Sequence, residues 1–216
     1  MIYRRDDPGP EPDKKTPRRP NRPGLPRRVP SPLPPSRGPG RTVALWALIV
    51  VVSVLVAQLS REYEGKRPLL IAVLKGGSVF LTDLIRRMDI DLEIDFLSLS
   101  SYGDATTSSG KVHLVHDLRA NLEGRHVVLV EGVVDTGHSV KFLLDLLSQR
   151  NPASLKVCTL LDKVPCRRIP VPVDYAGFKI GDEFVIGYGM DAAEGLRQLP
   201  YVGVAVPNAK PTESSE

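Results

Sequence analysis

The chain has 216 residues, 42% of them hydrophobic and 25% charged, with a net charge of +4. That length can bury a substantial core and suits one α/β domain with appended segments. Two cysteines, Cys158 and Cys166, are too few for a disulfide framework and have no partner at metal-ligand spacing; Cys158 sits in an apolar run and reads as a small core residue.

The charge is uneven. Residues 1–41 carry 11 Lys/Arg against 4 Asp/Glu, which is +7, and residues 42–216 carry 18 against 21, which is −3. The basic balance belongs to the N-terminal segment, so it gives no argument for nucleic acid as a partner of the domain. Residues 1–41 also hold 12 of the 20 prolines and few large apolar side chains. They cannot bury enough surface to offset their ordering entropy and are predicted to be a disordered Pro/Arg-rich leader. Within it, Pro32 to Pro35 has the composition of a polyproline II segment that docks in an aromatic groove, although a solvated leader is the simpler expectation.

Residues 43–57, VALWALIVVVSVLVA, contain one polar residue, Ser53. With Thr42, Gln58 and Leu59 the run stands at the lower edge of the ~17–25 residues a spanning helix needs. Residues 42–59 are expected to form an apolar helix, either buried against the domain or inserted in a membrane with the basic leader inside. An uncleaved signal segment, or a shifted reading frame upstream of residue 52, gives the same texture.

Further on, LLIAVL (69–74) is a short apolar strand broken by Gly76-Gly77, and SVFLTDLIRRM (78–88) has helical periodicity. LEIDFLSLS (92–100) alternates like a strand, and SYGDATTSSG (101–110) is small and polar, as in a mobile loop. HVVLVEGVV (126–134) is a Val-rich strand, DTGHS (135–139) a turn, and VKFLLDLLSQR (140–150) an amphipathic helix. Strands follow at SLKVCTLL (154–161), VDYAGF (173–178) and EFVIGY (183–188). Strands alternating with helices predict a mostly parallel sheet covered on both faces. His113 and His116 are three apart in an expected strand, so they are expected to point to opposite faces and make no metal pair.

The chemistry concentrates at VVLVEGVVDTGHS (127–139). A strand ends in a carboxylate, a glycine-containing turn follows, and a helix starts. In an open parallel sheet this turn lies at the carboxyl edge, where ligands bind, and its free N–H groups favour an anion such as phosphate. An ordinary strand-to-helix turn capped by Asp135 has the same sequence.

This stretch resembles the phosphoribosyl-pyrophosphate motif of type I phosphoribosyltransferases. LKGG (74–77) is similar to the pyrophosphate loop of the hypoxanthine-guanine branch, and SSYGDATTSSG (100–110) to its closing loop. LLDK (160–163), EFVIGYGMD (183–191) and Arg197 are similar to its purine-recognition segments. The likeness runs from about Gln58 to about Val204.

The resemblance implies a type I phosphoribosyltransferase fold, a central mostly parallel sheet flanked by helices with a small hood, over residues 60–216. It implies purine salvage: transfer of phosphoribosyl from 5-phosphoribosyl 1-pyrophosphate to hypoxanthine or guanine, with Mg²⁺, in a cytoplasmic homo-oligomer, a dimer or tetramer. Asp135 would be the catalytic proton-transfer group near purine N7. Glu131, Asp135, Thr136, Gly137, His138 and Ser139 would bind the phosphoribosyl group. Lys75, Gly76 and Arg197 would face pyrophosphate, with a cis peptide just before Lys75. Lys163, Phe184, Val185 and Asp191 would hold the purine side, and Glu131 and Asp191 the metal. Ser101 and Tyr102 would arrive on the closing loop and exclude water.

The sequence departs from the family at Gly132, where the family carries Asp. Loss of that acceptor is expected to weaken substrate binding by ~10–100-fold without abolishing it. Ala192 and Gly195 replace bulkier residues, and the apolar run and leader replace an amphipathic helix and part of the hood. These departures motivate the alternative of a catalytically weakened relative that binds nucleotides or purines, or that is membrane-anchored through 42–59.

Overall fold

The computed structural model describes residues 39–101 and 112–205, without the side chains of 39–45 and 101. The leader up to residue 38 and the loop from Tyr102 lie outside the described residues.

The six-stranded sheet comprises β1 (Leu69–Leu74), β2 (Glu93–Ser101), β3 (Val112–His116), β4 (His126–Val134), β5 (Ser154–Asp162) and β6 (Tyr175–Lys179), in the order β3-β2-β1-β4-β5-β6. All pairings are parallel except β2 with β3. The apolar run of β1 is continuous because the strand is buried on both faces: Leu70 and Ala72 enter one core, Leu69, Ile71 and Val73 the other. The first core receives α1 (Pro39–Tyr63) and α2 (Gly77–Ile85), the second α3 (His138–Ser148).

The expected apolar helix is longer than 42–59 and amphipathic in packing, not in sequence. Leu48, Val52, Leu55, Val56, Leu59 and Tyr63 are buried in the first core, at spacings of three and four. Each such side chain contributes about 1.5–3 kcal/mol. Trp46, Ile49, Val50 and Val54 are exposed on the opposite face. Glu62 near its C-terminus bonds both Lys156 and the Tyr175 hydroxyl, which pins the helix to β5 and β6.

Several expected boundaries move. The helix placed at 78–88 ends at Ile85, and 86–88 form a turn on the Leu84 carbonyl. The helix placed at 140–150 begins at His138, directly after Gly137. The strand placed at 183–188 shrinks to β7 (Val185–Ile186), because Gly187, Tyr188 and Gly189 all have positive φ and turn the chain back. β7 pairs with β8 (Gly203–Val204), and this two-stranded piece forms the small hood.

Candidate active site

β1 and β4 are neighbours, but the chain leaves them in opposite directions, to β2 and to β5. Their carboxyl ends therefore open a crevice, the usual ligand position in such sheets. The Leu74–Lys75 peptide at the end of β1 is cis, as the resemblance implied. The loop then lies flat on β4: a Cβ on Gly77 would stand 2.8 Å from the Val130 carbonyl oxygen, so only glycine permits this approach.

Beyond β4 the chain turns at Asp135, and Gly137 adopts φ +90° to start α3. Among the described residues no side chain caps that helix, so its first-turn N–H groups are available to an anion. A cleft of about 250 Å³ at this end is lined by Glu131, Asp135, Thr136, Gly137 and Ser139.

A second cleft, of about 330 Å³, shares Val73, Glu131, Val133 and Asp135 with the first. It brings together Lys75, Gly76, Glu131, Asp135, Lys163, Phe184, Val185, Asp191 and Arg197, residues from positions 75 to 197 of the sequence. Gly132 and Met190 also line it. Phe184 lines this cleft and is 58% exposed. His138 is half-buried in the first turn of α3 and lines neither cleft. Ser101 ends β2, and Tyr102 lies outside the described residues.

The cations of the cleft are each met by a carboxylate. Lys163 Nζ lies 3.2 Å from Asp135 Oδ2. Arg197 pairs with Asp191 at 2.7 Å and donates to the Gly189 carbonyl at 2.8 Å. Lys75 Nζ reaches Glu194 Oε2 at 2.6 Å, and the Glu194 N–H donates to Asp191 at 2.9 Å. The hydrogen bond from Lys75, aided by its charge and that of Arg197, holds the Glu194 carboxyl below its ordinary range.

Glu131 differs. It has no ion pair among the described residues, and burial pushes its carboxyl up to about 8, offset only in part by the Gly132 N–H.

Sequence reasoning missed Glu194, whose pairing with Lys75 spans 119 positions and leaves no local trace. It also missed Arg167, which donates to the Asp135 carbonyl. The only hint was the basic pair Arg167-Arg168 just after Lys163.

The family model for the phosphoribosyl transferase domain matches residues 46–193. The chain is 47% identical over 150 residues to the bifunctional protein TilS/HprT of Listeria innocua, covering 69% of this chain but only 23% of that longer protein. It is 44% identical over 156 residues to the hypoxanthine-guanine phosphoribosyltransferase of Bacillus subtilis, covering 72% of this chain and 87% of that one. Among solved structures, a hypoxanthine phosphoribosyltransferase from Staphylococcus aureus superposes with a TM-score of 0.73 at 40% identity, over 76% of this chain and 89% of its own. A hypoxanthine-guanine phosphoribosyltransferase from Bacillus anthracis gives 0.71 at 44% identity, over 75% and 95%. The chain belongs to the phosphoribosyl transferase domain family, on its hypoxanthine-guanine branch.

Proposed function

We propose that this protein transfers a phosphoribosyl group from 5-phosphoribosyl 1-pyrophosphate to N9 of hypoxanthine or guanine, releasing pyrophosphate and IMP or GMP. The observation that carries the reading is the position of Asp135, shared by two confluent clefts of different character. One end offers N–H and hydroxyl donors from Thr136 to Ser139, suited to a 5′-phosphate. The other offers Phe184 as a stacking face and Lys163 as a donor for a purine carbonyl. Lys163 has three N–H bonds and uses one on Asp135, which leaves it able to donate to O6.

In this mechanism the bond from the anomeric carbon to pyrophosphate breaks as N9 attacks, through an oxocarbenium-like state. Asp135 takes the purine proton near N7 while its charge favours the developing cation. Lys75 and Arg197 receive the departing pyrophosphate. Both are paired with acids before substrate arrives, but the Lys75–Glu194 pair is well exposed and weak, so a polyanion displaces Glu194 easily. The backbone of Val185 reads the exocyclic edge of the base.

Magnesium fits the donor set in a limited way. No group of three or more metal-ligating side chains occurs among the described residues. Glu131 lines the cleft and has no ion pair among the described residues, and Asp191 is already engaged by Arg197. Such a site would suit an ion held mainly by substrate oxygens and water, with Glu131 and Asp191 as the protein side chains that would hold it. A magnesium ion held there would neutralise pyrophosphate charge.

The protein works in the cytoplasm as a homo-oligomer in this reading, with α1 as part of the domain. Six α1 side chains lie in the same core as Leu70, Ala72 and Phe80, so withdrawing the helix into a bilayer would strip that core. Incubation of the full chain with hypoxanthine, donor and Mg²⁺, followed by chromatography for IMP, tests the activity, and its failure would favour the purine-binding alternative. Release from membranes by salt without detergent tests the location.

A further inference from the structure

We infer that Arg167 is a positioning residue that builds the phosphate-binding turn from behind. The inference rests on the phosphoribosyl reading of that turn. Arg167 Nε donates to the Asp135 carbonyl at 3.0 Å, and Nη2 donates to the Val134 carbonyl at 3.4 Å. The same Nη2 pairs with the buried Asp162 carboxylate at the end of β5. The neighbouring backbone completes the grip: the Lys163 N–H donates to Val134, and the Arg168 and Ile169 N–H groups both donate to Thr136, each at 3.0 Å.

Three consecutive carbonyls, of Val134, Asp135 and Thr136, are thus held toward one segment, residues 163–169. A trans peptide is planar, with its N–H opposite its C=O. Holding those carbonyls on one side turns the N–H groups of Asp135, Thr136 and Gly137 to the other, toward the cleft lined by Thr136, Gly137 and Ser139. Successive N–H groups aimed at one concavity make an anion nest. The back wall is tight: a Cβ on Gly137 would lie 2.4 Å from the Ile169 carbonyl oxygen and 3.0 Å from Arg167 Cδ.

Arg167 is neutralised by Asp162, and its side chain is only 15% exposed. Its contribution is therefore geometric, and it needs the planar fork. A lysine can keep the pair with Asp162 but cannot also span both carbonyls.

The test uses the full chain and ribose 5-phosphate as the probe, with affinity by calorimetry and stability by thermal unfolding. Arg167→Lys is expected to unfold near the parent temperature yet bind ribose 5-phosphate about 10–100-fold more weakly. In steady state the Michaelis constant for the phosphoribosyl donor rises and that for hypoxanthine does not. Arg167→Gln, neutral and with one donor arm, gives the same shift if the lysine variant does not fold. Parent-like binding of ribose 5-phosphate by either variant overturns the proposal, as does a parent that binds none. A parent that binds ribose 5-phosphate without transferring phosphoribosyl refutes the enzymatic reading and leaves this one standing on its own binding data.

Discussion

Lys163 and Asp135 face each other across the floor of the cleft, Nζ to Oδ2 at 3.2 Å, with the lysine side chain 8% exposed and the aspartate 48%. The lysine is buried and held in place, while the aspartate keeps one side open to a ligand. Removing the cation leaves the carboxylate in place but deletes the proposed donor to the purine. Lys163→Ala is expected to raise the Michaelis constant for hypoxanthine by about 10–100-fold, the size of a charge-assisted hydrogen bond, with little change for the phosphoribosyl donor. Initial-rate measurements with each substrate varied in turn decide it, and an equal rise for both substrates would speak against a purine-side role.

Glu131 makes the pH dependence specific. Its carboxyl is pushed up to about 8 by burial, so below that value the free protein holds it protonated and it is a poor metal ligand. Second-order rate constants for the donor with Mg²⁺ should therefore rise with pH, with an apparent midpoint near 8, and Glu131→Gln should lose that limb. The same shift destabilises the fold as pH climbs, because a raised folded pKa means stability is full below the ordinary carboxyl value and drains away up to about 8. Glu131→Gln should accordingly melt higher than the parent at pH 9 and nearly level with it at pH 5.

Gly132 is buried on β4, and a Cβ there meets the Gly76 carbonyl carbon and oxygen at 3.7 Å, ordinary contact. A Cβ can therefore be seated without displacing backbone, beside the Lys75–Gly77 loop that follows β1. Gly132→Asp is expected to lower the Michaelis constant for the phosphoribosyl donor by about tenfold. An unchanged constant in a folded variant would mean that this position is irrelevant to donor binding here.

Leu59 is fully buried in the core that joins α1 to the sheet. Leu59→Ala should cost about 2–5 kcal/mol in denaturant unfolding of the full chain. A helix that left the domain to span a membrane would give an unfolding midpoint unaffected by this change.

Much of this was written locally in the sequence. An unbroken apolar run marked β1, a Val-rich run marked β4, and Asp135-Thr136-Gly137 marked the turn, because strand burial and turn chemistry act over a few neighbouring residues. The placement of Lys163, Phe184 and Arg197 in one cleft came from the resemblance, since periodicity carries nothing about elements that meet across the fold.

What stayed illegible has a common cause. The pairing of β3 against β2, the Lys75–Glu194 contact and the Arg167 fork are set by tertiary geometry between distant segments. The shortening of the strand at 183–188 depends on positive φ at Tyr188, which propensity disfavours and packing imposes. For α1 the composition was ambiguous, because a uniformly apolar helix shows no face of its own; the burial of every third or fourth residue appears only against the domain.

The most direct test of the central claim is the turnover number of the full chain with hypoxanthine, 5-phosphoribosyl 1-pyrophosphate and Mg²⁺, measured beside Asp135→Asn. The parent is expected to release IMP and pyrophosphate in equal amounts. Asparagine keeps the size of the side chain and removes the proposed base, so turnover by the variant is expected to fall by about 10²–10⁴-fold, the usual span for general acid–base catalysis. Equal turnover by both proteins, or none from a folded parent, would contradict it.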